Sequence, residues 1–232
     1  MPALSYTLDD NRLPCVGAVV LQADETLEGD LRRAFPAEEV DLYISRVPSG
    51  EEVTRETLAA MAGEMTAAAT LFPPVPFAGV AYGCTSGASV IGSARVAELV
   101  KAGCNTPYVT DPLAALIATC RRKNITRLAM LSPYIEPVSR GLIDALAETG
   151  IETVAFGSFE EAEEAKVARI NARSTIEAAH SIAEGSEAQA VFLSCTNLKT
   201  HDVLAEVERR TGLPAFSSNS VLVEELQQMI GQ

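Results

Sequence analysis

Ala78-Gly79-Val80-Ala81-Tyr82-Gly83-Cys84-Thr85-Ser86-Gly87 and Ala190-Val191-Phe192-Leu193-Ser194-Cys195-Thr196-Asn197 follow one pattern: a short apolar run, a small residue, then Cys-Thr. Such a run bounded by turn-forming residues reads as a buried strand, and the residues beyond each cysteine take up helical periodicity. Each thiol is therefore expected at a strand-turn-helix junction, at the N-terminus of a helix. Free backbone N–H groups and the positive end of the helix dipole gather there. They favour a bound carboxylate and are expected to lower the pKa of at least one of the two thiols. One such thiol in each half of the chain suggests a pair of acid/base or nucleophilic groups facing a single substrate.

Outward from these motifs, short β-branched and apolar runs recur at 16–21, 40–44, 108–110, 128–131, 153–156 and 215–217. Helical patterning fills much of the space between, at 51–69, 94–101, 112–122, 138–148, 172–183 and 202–210. Alternation of this kind predicts an α/β chain built of βαβ units around mostly parallel sheets with both faces covered. The repeat extends past the cysteines. Thr106-Pro107-Tyr108-Val109-Thr110 follows Cys84 much as Leu213-Pro214-Ala215-Phe216-Ser217 follows Cys195, and Val19 to Asp24 overlays Ala129 to Tyr134. Two pseudo-symmetric halves are expected, 1–113 and 114–232, each with a four-stranded mostly parallel sheet flanked by helices. Ligands of open α/β sheets bind beyond the carboxyl ends of the strands. Four loops, 22–26, 83–87, 132–134 and 194–197, would converge there, placing the active site between the halves.

Composition narrows the partners. With 18 Lys and Arg against 31 Asp and Glu, the formal charge of −13 argues against nucleic acid, which requires clustered cations. No window approaches the apolar length of a membrane span, and the first residues lack the apolar core of a signal peptide, so a cytoplasmic protein is expected. An odd count of five cysteines fits free thiols better than a disulfide framework. Neither a CxxC nor an HxxxH spacing occurs, so no metal is expected, and without GxGxxG or GxxxxGK[ST] no nucleotide cofactor is expected either. Composition does not decide between a monomer and a homo-oligomer.

Among residues that can carry chemistry, Gly83 and Gly87 let the backbone turn tightly beside Cys84, while Thr85 and Ser86 add hydroxyl groups: a carboxylate cradle beside a thiol. Cys15, Cys104 and Cys120 lack such neighbours and read as filler. His201, six residues after Cys195, lies within reach of a polarising role, whereas His180 sits inside a helix. The acidic run at 160–164 reads as a solvated helix start.

The two Cys-Thr turns, Ser132-Pro133-Tyr134 after a strand, and Cys195-Thr196-Asn197-Leu198-Lys199-Thr200 together resemble the aspartate/glutamate racemase superfamily. The likeness covers nearly the whole chain and is nearest to the branch containing maleate cis–trans isomerase, arylmalonate decarboxylase and the racemase-like proteins of ectoine utilisation. The resemblance implies that Cys84 and Cys195 are the catalytic pair flanking the substrate. It also implies that Thr85, Ser86, Tyr134, Thr196 and Asn197 belong to the substrate-binding surface. Arylmalonate decarboxylase keeps only the second cysteine, so Cys84 argues against that activity. Where maleate isomerase has Asn after its first strand, this chain has Asp24, as amino-acid racemases of the superfamily do. An anion there repels a second substrate carboxylate and suits an ammonium or amide N–H; as a plain turn residue, Asp24 would instead cap the following helix.

The expectation is a cofactor-independent isomerase, a racemase or epimerase, of a small amino-acid-like carboxylate. One cysteine removes the α-proton and the other delivers one on the opposite face. The alternatives are maleate cis–trans isomerisation by addition of Cys84 to the double bond, decarboxylation of a malonate-like acid, and a non-catalytic carboxylate-binding protein.

Overall fold

The computed structural model describes residues 3–9, 11–50 and 52–231. The alternation of strand and helix resolves into two four-stranded sheets, parallel throughout. The first is ordered β2 (Asp41–Val47), β1 (Cys15–Leu21), β3 (Gly79–Gly83), β4 (Val109–Thr110), and the second β6 (Glu152–Glu161), β5 (Arg127–Tyr134), β7 (Ala190–Leu193), β8 (Ala215–Ser217). The same strand order in both halves bears out the internal repeat. Parallel pairing demands crossovers, and each is a helical segment that buries one apolar stripe on a sheet.

Alternate side chains of β1 face opposite layers. Val16, Ala18 and Val20 pack with Leu27 and Leu31 of α1 (Leu27–Ala34) and with Leu222, Leu226 and Met229 of α10 (Ser218–Ile230). Val19 and Leu21 join Leu58, Met61 and Met65 of α2 (Arg55–Ala69) on the other face. The second sheet repeats the scheme: Ala129, Leu131, Val191 and Leu193 pack beneath α8 (Ala172–Ala183) and α9 (Leu204–Thr211). Its opposite face, with Leu128, Met130 and Phe192, shares the central core with Leu116 and Cys120 of α5 (Pro112–Lys123) and Leu142 and Leu146 of α6 (Glu136–Ala147). The C-terminal helix α10 thus leaves the half to which it belongs in sequence and closes the sheet of the other, against β1 and β3. Each fully buried Leu on it contributes roughly 1.5–3 kcal/mol.

Local signals set the helix ends. Asp111 caps α5 by accepting from the N–H groups of Leu113 and Ala114, both at 2.9 Å, with Pro112 at the first turn. Thr54 and Thr57 form a reciprocal capping box that starts α2 at Arg55, later than the helix expected over 51–69; residue 51 lies outside the described residues. Gly92, at φ 87°, separates α3 (Thr85–Ile91) from α4 (Ser93–Lys101). Among the described residues, no helix is long and apolar enough to cross a membrane.

Candidate active site

Cys84 directly follows β3 and is the N-cap of α3, with extended backbone and its Sγ accepting from the Gly87 N–H at 3.1 Å. The turn is as tight as its glycines suggest. A Cβ on Gly87 would lie 2.4 Å from Tyr82 Oη and 3.0 Å from the Cys84 sulfur, so only glycine leaves that sulfur in place.

Cys195 departs from the expectation. It has φ +115°, and a loop over 196–203 separates it from α9, so no helix begins beside this thiol. A non-glycine residue in that backbone region costs about 1–3 kcal/mol and persists only where its surroundings hold it. Here the Cys195 N–H donates to Ser218 Oγ at 2.9 Å, and the Asn197 N–H reaches the sulfur at 3.3 Å. Ser218 Oγ also accepts from Thr85 Oγ1 at 2.7 Å. One buried hydroxyl at the start of α10 thereby ties the two Cys-Thr turns together.

Between the turns lies a narrow cavity of about 10 Å³, lined by Leu21, Asp24, Cys84, Thr85, Ser86, Tyr134, Glu164, Cys195, Thr196 and Asn197. Every residue expected at the site from the sequence is among them. The roles are more divided than the sequence suggested. Asp24 Oδ1 accepts from the N–H groups of Thr26 (2.8 Å) and Leu27 (2.7 Å), fastening the start of α1, while Oδ2 is buried with no partner. Asp24 thus caps the following helix, as a turn residue would, through Oδ1 alone. Thr196 Oγ1 donates to the Gly83 carbonyl at 3.2 Å. Asn197 is a strut between the halves: its Oδ1 accepts from the Glu25 N–H at 2.8 Å, and its Nδ2 donates to Glu164 Oε2 at 2.8 Å. Tyr134 Oη donates to Glu164 Oε1 at 2.9 Å and lies 3.0 Å from the Cys195 sulfur.

Burial dominates the electrostatics. It pushes Cys84 up to about 12, against the pull of the Gly87 N–H, with the carboxylates of Glu164 and Asp24 adding to the rise. Burial likewise holds Cys195 well above the ordinary thiol range, reinforced by Glu164 and opposed by Tyr134 and the Asn197 N–H. The lowered thiol pKa expected from helix termini is thus reversed: one thiol lacks the helix, and for the other the loss of water outweighs the dipole. Burial also raises Asp24 and Glu164; Asp24 adds to the rise of Glu164, while the Leu27 and Thr26 N–H groups pull Asp24 back. The site lining contains two carboxylic acids, Asp24 and Glu164, and no Lys or Arg.

Two participants escaped the sequence. Glu164 sits in the acidic run read as solvated; the rest of that run stays at least partly exposed, but Glu164 turns inward at the start of the short helix α7 (Glu164–Val167) and is buried. No periodicity distinguishes it from Glu163. Ser218 is the first residue of α10, and nothing in the local sequence marks its side chain as part of the site. His201 is more than half exposed and lines a separate surface depression with Arg33, Arg169 and Lys199. The five cysteines are all free, with Cys15 and Cys120 buried and Cys104 half-buried.

Comparison with known proteins agrees with this architecture. The family described as arylmalonate decarboxylase matches residues 82–231. Maleate isomerase of Geobacillus stearothermophilus is 24% identical over 226 residues, covering 91% of this chain and 89% of its own. Arylmalonate decarboxylase of Bordetella bronchiseptica is 28% identical over 111 residues, 47% of this chain and 46% of its own. Among solved structures, the maleate isomerase Iso of Pseudomonas putida S16 superposes with a TM-score of 0.82 at 20% identity, covering 95% of this chain and 94% of that one. A variant of the Nocardia farcinica maleate cis–trans isomerase, holding a covalently bound succinylcysteine intermediate, superposes at 0.81 with 22% identity over 95% and 94%.

Proposed function

Since the chain belongs to the arylmalonate decarboxylase family of enzymes, we propose that it is a cofactor-independent isomerase inverting the α-carbon of a small, nitrogen-bearing carboxylate. The observation that carries this reading is a pair of thiols from opposite halves lining one small cavity whose only charged lining groups are acids. One cysteine, as thiolate, takes the α-proton; the other, as thiol, gives its proton to the opposite face, and the roles exchange with the handedness of the substrate. The substrate carboxylate lies against the first N–H groups of α3, at Thr85 and Ser86, which have no carbonyl behind them in the helix. These donors stabilise the negative charge that develops on the carboxylate as the α-proton leaves. The substrate nitrogen faces Asp24 Oδ2, a buried acceptor that is otherwise unpartnered.

The same charges disfavour a dicarboxylate. Two like charges about 4 Å apart at an effective dielectric of 20 repel by about 4 kcal/mol. A second reading, cis–trans isomerisation of a maleate-like acid by addition of Cys84 to the double bond, is favoured by the likeness to maleate isomerases over about nine tenths of both chains. It requires Asp24 and Glu164 to be protonated, and burial pushes both in that direction.

Incubation in deuterated water with a panel of amino acids, N-acyl amino acids and maleate, followed by NMR, decides between them. The proposal expects α-hydrogen exchange with loss of optical purity for a nitrogen-bearing acid, abolished in Cys84→Ala and in Cys195→Ala. Conversion of maleate to fumarate with no exchange in any nitrogen-bearing acid would overturn it in favour of the second reading.

A further inference from the structure

Glu164 has no part in the proton exchange between Cys84, Cys195 and substrate described above, yet it is buried and joined to Cys195 through one hydroxyl. Tyr134 Oη donates to Glu164 Oε1 at 2.9 Å and stands 3.0 Å from the Cys195 sulfur. Because that hydroxyl has a single proton, already directed at Glu164, the thiol is the donor in the Cys195–Tyr134 contact. The result is an ordered chain: S–H of Cys195 to O of Tyr134, O–H of Tyr134 to carboxylate of Glu164.

Resting on the two-thiol reading of the site, we infer that Glu164 is the proton store for Cys195, a positioning residue that acts through Tyr134. When Cys195 is required as thiolate, its proton passes to the Tyr134 oxygen while the Tyr134 proton passes to Glu164. The carboxylate becomes a neutral acid, the thiol becomes a thiolate, and Tyr134 is unchanged. Reversal restores the thiol. Net charge is conserved within the cavity, so no proton has to cross to solvent, and the buried pair never carries two negative charges.

The surroundings allow this exchange. Asn197 Nδ2 donates to Glu164 Oε2 and to the Glu164 carbonyl oxygen, fixing the carboxyl group whichever form it takes. Backbone holds the segment from the other side, where the Val53 N–H donates to the Ala162 carbonyl and residues 52 and 163 form an antiparallel bridge. The other titratable groups facing this trio are Asp24, from the loop after β1, and Cys84, at the head of α3. Both are acids, so neither supplies a positive charge that would hold the Cys195 thiolate on its own. Lys166, on α7, is engaged with Glu163 and Glu161 at the surface. Burial raises the Glu164 pKa above the usual carboxylate value, with the Asp24 charge adding to the rise.

The chain can be tested in the ligand-free protein, which keeps the result independent of whether the isomerase reading holds. Alkylation of Cys195 and Cys84 by iodoacetamide is followed against pH by peptide mass spectrometry in the parent, Glu164→Gln, Glu164→Asp and Tyr134→Phe proteins. In the parent, Cys195 labelling should rise as Glu164 ionises and then level off over an interval of pH, since internal transfer sets the thiolate fraction there. In Glu164→Gln it should rise about tenfold per pH unit with no plateau, matching the parent at low pH and overtaking it once Glu164 ionises, because no carboxylate then adds its charge beside the thiolate. Glu164→Asp should restore part of the plateau, Tyr134→Phe should lower it, and the Cys84 profile should change less in each. A carboxylate that only repels charge gives the same plateau with or without the Tyr134 hydroxyl. A Cys195 plateau as high in Tyr134→Phe as in the parent, or a plateau that persists in Glu164→Gln, would overturn the inference. If Glu164→Gln does not fold, an unchanged Cys195 profile in Tyr134→Phe would overturn it equally. Should the labelling pattern appear while no substrate shows α-hydrogen exchange, the proton store stands and the isomerase reading falls.

Discussion

Replacing Asp24 by Asn separates the structural and chemical duties of one side chain. The two N–H groups of Thr26 and Leu27 bond to Oδ1 alone, and the carbonyl oxygen of Asn can accept both, so the start of α1 should survive. The group that changes is Oδ2, buried and unpartnered, which becomes an NH₂ donor. For a substrate carrying an ammonium or amide N–H, the variant loses a hydrogen bond to a charged group, about 1.5–3 kcal/mol, or about a 10- to 150-fold fall in kcat/KM. For a dicarboxylate the same change replaces a repulsion by a donor, and kcat/KM for maleate should rise. Steady-state kinetics with both substrate types in parent and variant therefore return opposite signs. A fall of less than about threefold for the nitrogen-bearing acid, or a rise for it, would refute the placement of the substrate nitrogen at Oδ2. Thermal melting supplies a control. Because the folded protein holds the Asp24 pKa above its ordinary value, ionising it opposes folding. That penalty is absent below the ordinary carboxylate pKa and grows as pH rises to and through the raised value. The melting temperature of Asp24→Asn relative to the parent should thus increase from pH 4 to pH 8.

Gly87→Ala should lower kcat by about 100-fold with the fold retained, since its Cβ displaces the Cys84 sulfur or Tyr82 Oη; near-parental kcat with circular dichroism unchanged would contradict the geometry. Ser218→Ala strands the Cys195 N–H and the Thr85 hydroxyl in a buried site. Urea titration should show a loss of about 1–3 kcal/mol, and a neutral result would mean that the bridge between the turns bears no stabilising load. Leu226→Ala, fully buried where α10 meets the first sheet, should cost about 2–5 kcal/mol in the same assay; less than 1 kcal/mol would argue that α10 does not close that sheet.

What the sequence by itself determined is everything that depends on neighbours along the chain. The apolar runs at 78–82 and 190–193 and the helix over 172–183 were legible because strand and helix periodicities are local. The repeat of Cys-Thr turns was enough to pair Cys84 with Cys195 and to bring Asp24, Thr85, Ser86, Tyr134, Thr196 and Asn197 to one place, since parallel strands in one order carry their C-terminal loops to a common end. Only the tertiary structure decided the rest. The crossing of α10 to the opposite sheet, the bridge made by Ser218 and the inward turn of Glu164 all join residues far apart in sequence, and no local pattern encodes such a contact. The thiol pKa values followed the same division. A helix N-terminus can be read from sequence, but the withdrawal of water that outweighs it at Cys84, and the loop that replaces it at Cys195, exist only once the two halves have closed on each other.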